Sequence, residues 1–175
     1  MMSVGILSDA MQDLQQNDGQ AAARRISAAR FVLRRAAEGI VADRSTSPVM
    51  EQIRAADRAI NDSELTVERR IQQAIAKLSP AIRTMAVSNS SPAVTAQVLI
   101  DLALFINDGA MFDHEKPVLL DARLAAERIG ATAAADTLTR AIHRNAQDGG
   151  DLEQKQKELE ALLVAAMDQL LFPMG

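Results

Sequence analysis

The chain has no cysteine, so it can build no disulfide framework, thiolate zinc site or iron–sulfur cluster, and it has no thiol nucleophile. Tyrosine and tryptophan are missing as well, and the aromatic residues are Phe31, Phe105, Phe112 and Phe172 alone. Too few rings remain to form a stacking platform for single-stranded nucleic acid. His114 and His143 are the only histidines, which leaves catalytic triads without a placed base. No Glu-x-x-His pair of a di-iron bundle is present. No stretch reaches the about 18 apolar residues that span a bilayer, since Val98–Ile106 is broken by Asp101. The opening Met1–Met11 segment carries no Lys or Arg and is interrupted at Ser8 and Asp9, so it does not read as an export signal and the expected location is cytoplasmic.

What is present describes a soluble, foldable chain. It has 175 residues, 48% of them hydrophobic and 24% charged, enough for a single helical domain over 1–175 with a sizeable core. The net charge of -4 is unevenly spread: residues 1–90 carry +2 and residues 91–175 carry -6. Such a split fits two halves that neutralise each other, or a charged face that meets a partner of opposite sign.

The punctuation is that of an all-α protein. Ser47-Pro48, Ser79-Pro80 and Ser91-Pro92 each read as a helix start, because the serine oxygen caps free amides and proline at the first helical position loses no hydrogen bond. Nine segments are candidates, 8–16, 20–42, 48–60, 64–78, 80–87, 92–106, 117–129, 132–144 and 151–171, for a bundle of seven to eight helices around one core. Ala22, Ile26, Ala29, Leu33, Ala36 and Ile40 form the inward stripe of 20–42, Val67 turns inward in 64–78, and 80–87 packs through Ile82, Met85 and Ala86. The segment 92–106 is apolar on nearly all sides and is the expected central helix. The polar break at 88–91 is the expected internal boundary. Asp151 and Gln154 have the spacing of a capping box.

Three groups of residues are candidates for function. Asp108, Asp113 and Glu115 form an acidic turn around His114, without the ligand spacing of a zinc or calcium site, and Asp113 can cap a helix starting near Pro117. Leu163, Met167 and Leu170 lie in the crowded apolar end of the last helix, either as core or as the seam of a homodimer. Arg24, Arg30, Arg34 and Arg35 share the second helix, where Arg24, Arg34 and Arg35 fall on one side and can track phosphates, unless they form a solvated, salt-bridged face.

Phe105-Ile106-Asn107-Asp108-Gly109, the helix 122–127, Ile129-Gly130-Ala131 and the following Ala-rich helix with Leu138 and Ala141 resemble the helical DNA-mimic domain family, a family long filed as a domain of unknown function. The resemblance spans residues 95–143. Asp108 stands where that family has the first glycine of its turn, and Phe112 is the one aromatic after it. The resemblance implies an acidic, dimeric binding protein that occupies the DNA site of a regulator.

The sequence therefore points to a non-catalytic helical protein, without cofactor or metal, that binds another protein as adaptor, inhibitor or regulator, with a homodimer through the last helix as one form of it. The alternative is a nucleic-acid-binding regulator that uses the arginines of the second helix.

Overall fold

The computed structural model describes residues 1–41, 48–88 and 91–172, giving the course of the helix but not the side chains over 36–41. Among the described residues all regular structure is helical, in eight helices: α1 (Met2–Gln15), α2 (Gly19–Val41), α3 (Pro48–Asn61), α4 (Val67–Val87), α5 (Pro92–Asp108), α6 (Phe112–Arg128), α7 (Thr132–Ala146) and α8 (Leu152–Leu171). By their contacts the residues sort into two compact units, Met1–Ile82 and Arg83–Gly175. The division falls inside α4; of the polar break at 88–91, Asn89 and Ser90 lie outside the described residues.

In the first unit α1 and α2 form a hairpin and α3 packs on α2. The turn between α1 and α2 places Asn17 at φ 60°, with Asn17 N–H donating to Leu14 O and Asp18 N–H to Asp13 O. Asn tolerates this left-handed conformation better than most residues. Asp18 then caps α2, its Oδ1 accepting from Ala21 N at 2.9 Å. Arg25 reaches back from α2 to Asp9 (2.9 Å) and Asp13 (2.7 Å) on α1. Val4, Leu7, Ala10 and Met11 of α1 are buried, as are Ala22, Ala29 and Leu33 of α2, the last three at the spacing the sequence predicts. The predicted Ala36 and Ile40 lie outside the described side chains.

Two prolines sit inside helices where the sequence predicts helix starts. The expected segments 64–78 and 80–87 are one helix, α4, which runs through Pro80. Proline there removes one hydrogen bond, which costs about 3 kcal/mol in an exposed helix. Burial of Ile71, Ala74, Ile75 and Leu78 before the proline and Ala81 and Ala86 after it keeps one apolar line intact across the interruption. Val67 and Met85, predicted to pack inward, are instead exposed. Likewise α6 begins at Phe112, one turn before Pro117, with His114 N–H and Glu115 N–H both donating to Met111 O. Asp113 consequently lies within the first turn and caps nothing at Pro117.

The second unit contains an up-and-down bundle. Helix α5 packs on α6 and α8, and α7 packs on α6 and α8, closing a ring of four helices. The links of three, three and five residues (109–111, 129–131 and 147–151) force sequential neighbours to run antiparallel. Helix α5 is one wall of this ring and buries Leu99, Ile100, Leu102, Ala103 and Ile106, while Val94 and Asp101 face out. Ser91 caps it with Pro92 in the first turn, as the Ser-Pro reading predicts. The last segment of α4 joins this unit through Arg83, paired with Asp121, and through Ala86 O, which accepts from the Thr95 hydroxyl at 2.8 Å. At α8 Asp151 does cap, accepting from Glu153 N at 3.0 Å, but Gln154 turns forward to Glu158, so the reciprocal half of the predicted capping box does not form.

Candidate functional site

The chemistry-bearing side chains of the four-helix unit gather at two places. The first is a buried polar knot where α5 ends, α6 begins, α7 ends and α8 begins. Glu115 is fully buried there, and its Oε2 accepts from Asn145 Nδ2 at 2.7 Å. Asn145 also donates to Phe112 O at 3.1 Å. Lys155, buried as well, donates to Asn145 O at 2.7 Å and Gln147 O at 2.9 Å, with its ammonium 4.3 Å from the centre of the Phe112 ring. Asn107 and Gln156 complete the knot by exchanging hydrogen bonds. Burial pushes the Glu115 carboxyl up to about 7, against the opposing pull of the Asn145 hydrogen bond and the Lys155 charge. Glu115 Oε1 and Asn107 Oδ1 have no hydrogen-bond partner.

This knot is structural in its geometry. Its groups satisfy the free carbonyls that every helix end carries, and Glu115 faces the interior rather than solvent. The predicted acidic turn is therefore divided: Asp113 and His114 are exposed, Asp108 is half-buried, and Glu115 is withdrawn from any partner. A glutamate three residues into a helix lies about 100° per residue away from its neighbours, so sequence adjacency to Asp113 did not put both on one face. Among the described residues no three His, Asp or Glu side chains gather as a metal site.

The second place is the face made by α7 and α8. A groove of about 520 Å³ runs between them, floored by Ala161, Leu162 and Ala165 and edged by Arg140, Gln169 and the Arg144–Glu158 ion pair. Gln154 and Arg144 hold the Glu158 carboxyl below its ordinary range. At the far end of α8, a depression of about 200 Å³ lies between Gln169, Phe172 and the turn 130–134. Gln169 borders both, and its Oε1 is buried without a hydrogen-bond partner. Beside the groove, Glu160, Val164, Asp168 and Leu171 form one outward stripe, within about 80° of arc at helical spacing. Val164 is 46% exposed, Leu171 48% and Phe172 72%.

The expected seam of Leu163, Met167 and Leu170 is not this stripe. Leu163 is wholly buried in the bundle, and Met167 and Leu170 are half-buried at its flank. They lie on the opposite side of α8 from the groove because the bundle's core claims the face that also holds Leu159 and Ala166. The exposed stripe was harder to see, since only Val164 and Leu171 break its acidic pattern.

Charge in this unit is arranged unevenly. Lys155 is buried, and Arg83, Arg123, Arg144 and Lys157 are each paired with an acid. Asp101, Asp113, Asp136, Asp148, Glu160 and Asp168 remain exposed, against Lys116, Arg128 and Arg140 as exposed cations with no ion pair among the described residues.

In the first unit Arg24, Arg34 and Arg35 are exposed on α2, as predicted, and Arg30 is half-buried with its Nε unpartnered. Phe31, 67% exposed among these arginines, is a feature that the sequence reading passed over. An aromatic on the polar face of an amphipathic helix was the available signal.

No helix among the described residues is long and apolar enough to cross a membrane. No protein-family model, curated protein or solved structure matches the chain.

Proposed function

We propose that the protein is a non-catalytic helical binding module whose four-helix unit docks another protein along the α7–α8 face. The observation that carries this reading is α8 itself: Val164, Leu171 and Phe172 are exposed beside a groove with an apolar floor, and the buried Gln169 Oε1 there has no donor. Apolar side chains supply burial and an unfilled acceptor supplies orientation, which is the usual division of labour at an interface. Arg140 edges the groove as an exposed cation with no ion pair among the described residues, while Arg144 is paired with Glu158; on the outward stripe itself Glu160 and Asp168 set the sign. The complementary partner presents apolar and basic groups together, as a basic amphipathic helix does. The resemblance of residues 95–143 to helical DNA-mimic domains agrees with this, since it implies an acidic surface offered to a basic site. A symmetric homodimer through the same stripe would bring Glu160 and Asp168 toward their own copies, which opposes it.

A second reading has its own observation: Phe31 stands exposed between Arg24, Arg34 and Arg35, so α2 can present cations and a ring to a nucleic acid. One experiment separates the two. The tagged chain and its Val164→Asp, Leu171→Asp double variant are used in parallel to isolate partners from the source cells, with and without nuclease. A protein retained by the first, lost by the second and indifferent to nuclease supports docking on α8. Retention of the same protein by both overturns it, and nuclease-sensitive recovery of nucleic acid moves the assignment to α2. Size-exclusion chromatography with light scattering reads a homodimer directly.

A further inference from the structure

The first unit holds a cavity of about 260 Å³ between α2 and α3, lined by Leu33, Arg34, Ile53, Arg54, Asp57 and Arg58. Its composition is uneven in a way that selects a ligand. Leu33 and Ile53 are buried and form an apolar floor. Three guanidinium groups border it, Arg54 and Arg58 one turn apart on α3 and Arg34 across from them on α2. Only Arg54 has an ion pair among the described residues, a long 3.6 Å contact to Glu51 with both side chains more than half exposed. Arg34 and Arg58 have none.

The three arginines are exposed and bring three positive charges to one rim, a field that attracts an anion where nothing neutralises it. Asp57, the one carboxylate among the described lining residues, does not neutralise them by direct pairing: its Oδ1 is buried and accepts no hydrogen bond. The cavity thus offers several forked donors and, close by, one acceptor that lacks a donor. Arginine forks match the oxygens of a phosphate bidentately, and an apolar floor strengthens the attraction by excluding water. The empty acceptor asks for a hydroxyl or amine on the same molecule.

We infer that the α2–α3 cavity is a binding site for a small phosphomonoester carrying a hydroxyl beside its phosphate, held by Arg34, Arg54 and Arg58 and oriented by Asp57. The volume admits a ligand of a few carbons and a phosphate, smaller than the usual drug-sized pocket. The site is independent of the α8 face: either can fail without touching the other.

Isothermal titration of the full chain tests this at fixed ionic strength with three probes: glycerol 1-phosphate, inorganic phosphate and glycerol. The expected result is saturable one-to-one binding of glycerol 1-phosphate, weaker binding of inorganic phosphate, and none of glycerol. Arg34→Gln and Arg58→Gln each weaken the ester by roughly tenfold or more, because each removes a charge-assisted pair. Asp57→Asn lowers the ester to the level of inorganic phosphate and does not weaken the latter, which only an orienting acceptor explains. Arg24→Gln, on the same helix but outside the cavity, leaves both affinities unchanged. Absence of saturable binding up to roughly 10 mM overturns the proposal. So do equal losses from Arg24→Gln and Arg34→Gln, the signature of a diffuse basic face that attracts polyanions. Arg58→Lys guards against a variant that merely misfolds: it keeps the charge, removes the fork, and is expected to bind with an intermediate affinity.

Discussion

Asn107 and Gln156, forty-nine residues apart, each donate a side-chain amide to the other's backbone carbonyl, at 2.9 Å and 2.7 Å. Gln156 also donates to Asp108 O at 3.3 Å. The last turn of α5, whose Ile106 O and Asn107 O also accept from the amides of 109–111, is thereby tied to α8.

That exchange sets the first expectation. Asn107→Ala removes the side-chain donor to Gln156 O, and Gln156→Ala removes the side-chain donor shared by Asn107 O and Asp108 O, leaving Asn107 O its bond from Ala110 N. Each costs about 1–2 kcal/mol. A double-mutant cycle on urea midpoints gives a coupling above about 0.5 kcal/mol. Simple additivity would show that the two bonds act separately.

Glu115 makes stability depend on pH. In the fold it holds its proton up to about pH 7, whereas the unfolded chain releases it near the ordinary 4.5. Between those values the native state binds more protons than the unfolded state, so this group's contribution to stability falls as pH rises from about 4.5 to about 7 and is level above that. The total is of the order of 3 kcal/mol. Glu115→Gln abolishes the dependence, so its urea midpoints at pH 5 and pH 8 differ less than those of the parent chain. Parallel profiles for the two proteins would exclude the effect.

The turn between α5 and α6 has its glycine one position early. Gly109 lies at φ -88°, and the left-handed residue is Ala110 at φ 52°. Ala110→Gly relieves that conformation and is expected to stabilise by about 1 kcal/mol. The turn between α6 and α7 is the converse: Gly130 itself is at φ 73°, with nothing near the place where a Cβ would stand. Gly130→Ala costs about 1 kcal/mol from backbone strain alone. Thermal midpoints of the two variants should move in opposite directions.

Pro80 is exposed inside α4, so Pro80→Ala restores the missing amide without opening a cavity. A gain of roughly 1 kcal/mol or more is expected, with helicity by circular dichroism unchanged or higher. A loss would show that the helix is bent at this point to suit its packing.

The legible and illegible parts differ by range of interaction. Most of the helices follow from local signals: Ala-rich apolar spacing, Ser91-Pro92 and Asp151 as caps, and breaks at Asn17 and Gly130; α1, by contrast, begins at Met2 rather than at residue 8, and the Asp18 cap of α2 was not foreseen. Pro80 and Pro117 misled, because a proline reads as a boundary from its own chemistry while burial of residues on either side can carry a helix through it. The α8 groove and the α2–α3 cavity were not legible, since each is lined from two helices whose pairing no short-range pattern encodes.

The residues by themselves determined an all-helical chain, its cap chemistry, the excess of acid in its second half, and the closure of cysteine and aromatic-stacking chemistry. Those properties depend on each side chain and its neighbours within a turn or two. Tertiary structure decided which of them face out. It drew Glu115, Lys155 and Leu163 into the bundle and left Val164, Leu171 and Phe31 at the surface. It also set Arg34 of α2 beside Arg54 and Arg58 of α3. A helix has one rotation about its axis, and only the helices packed against it determine which residues that rotation hides.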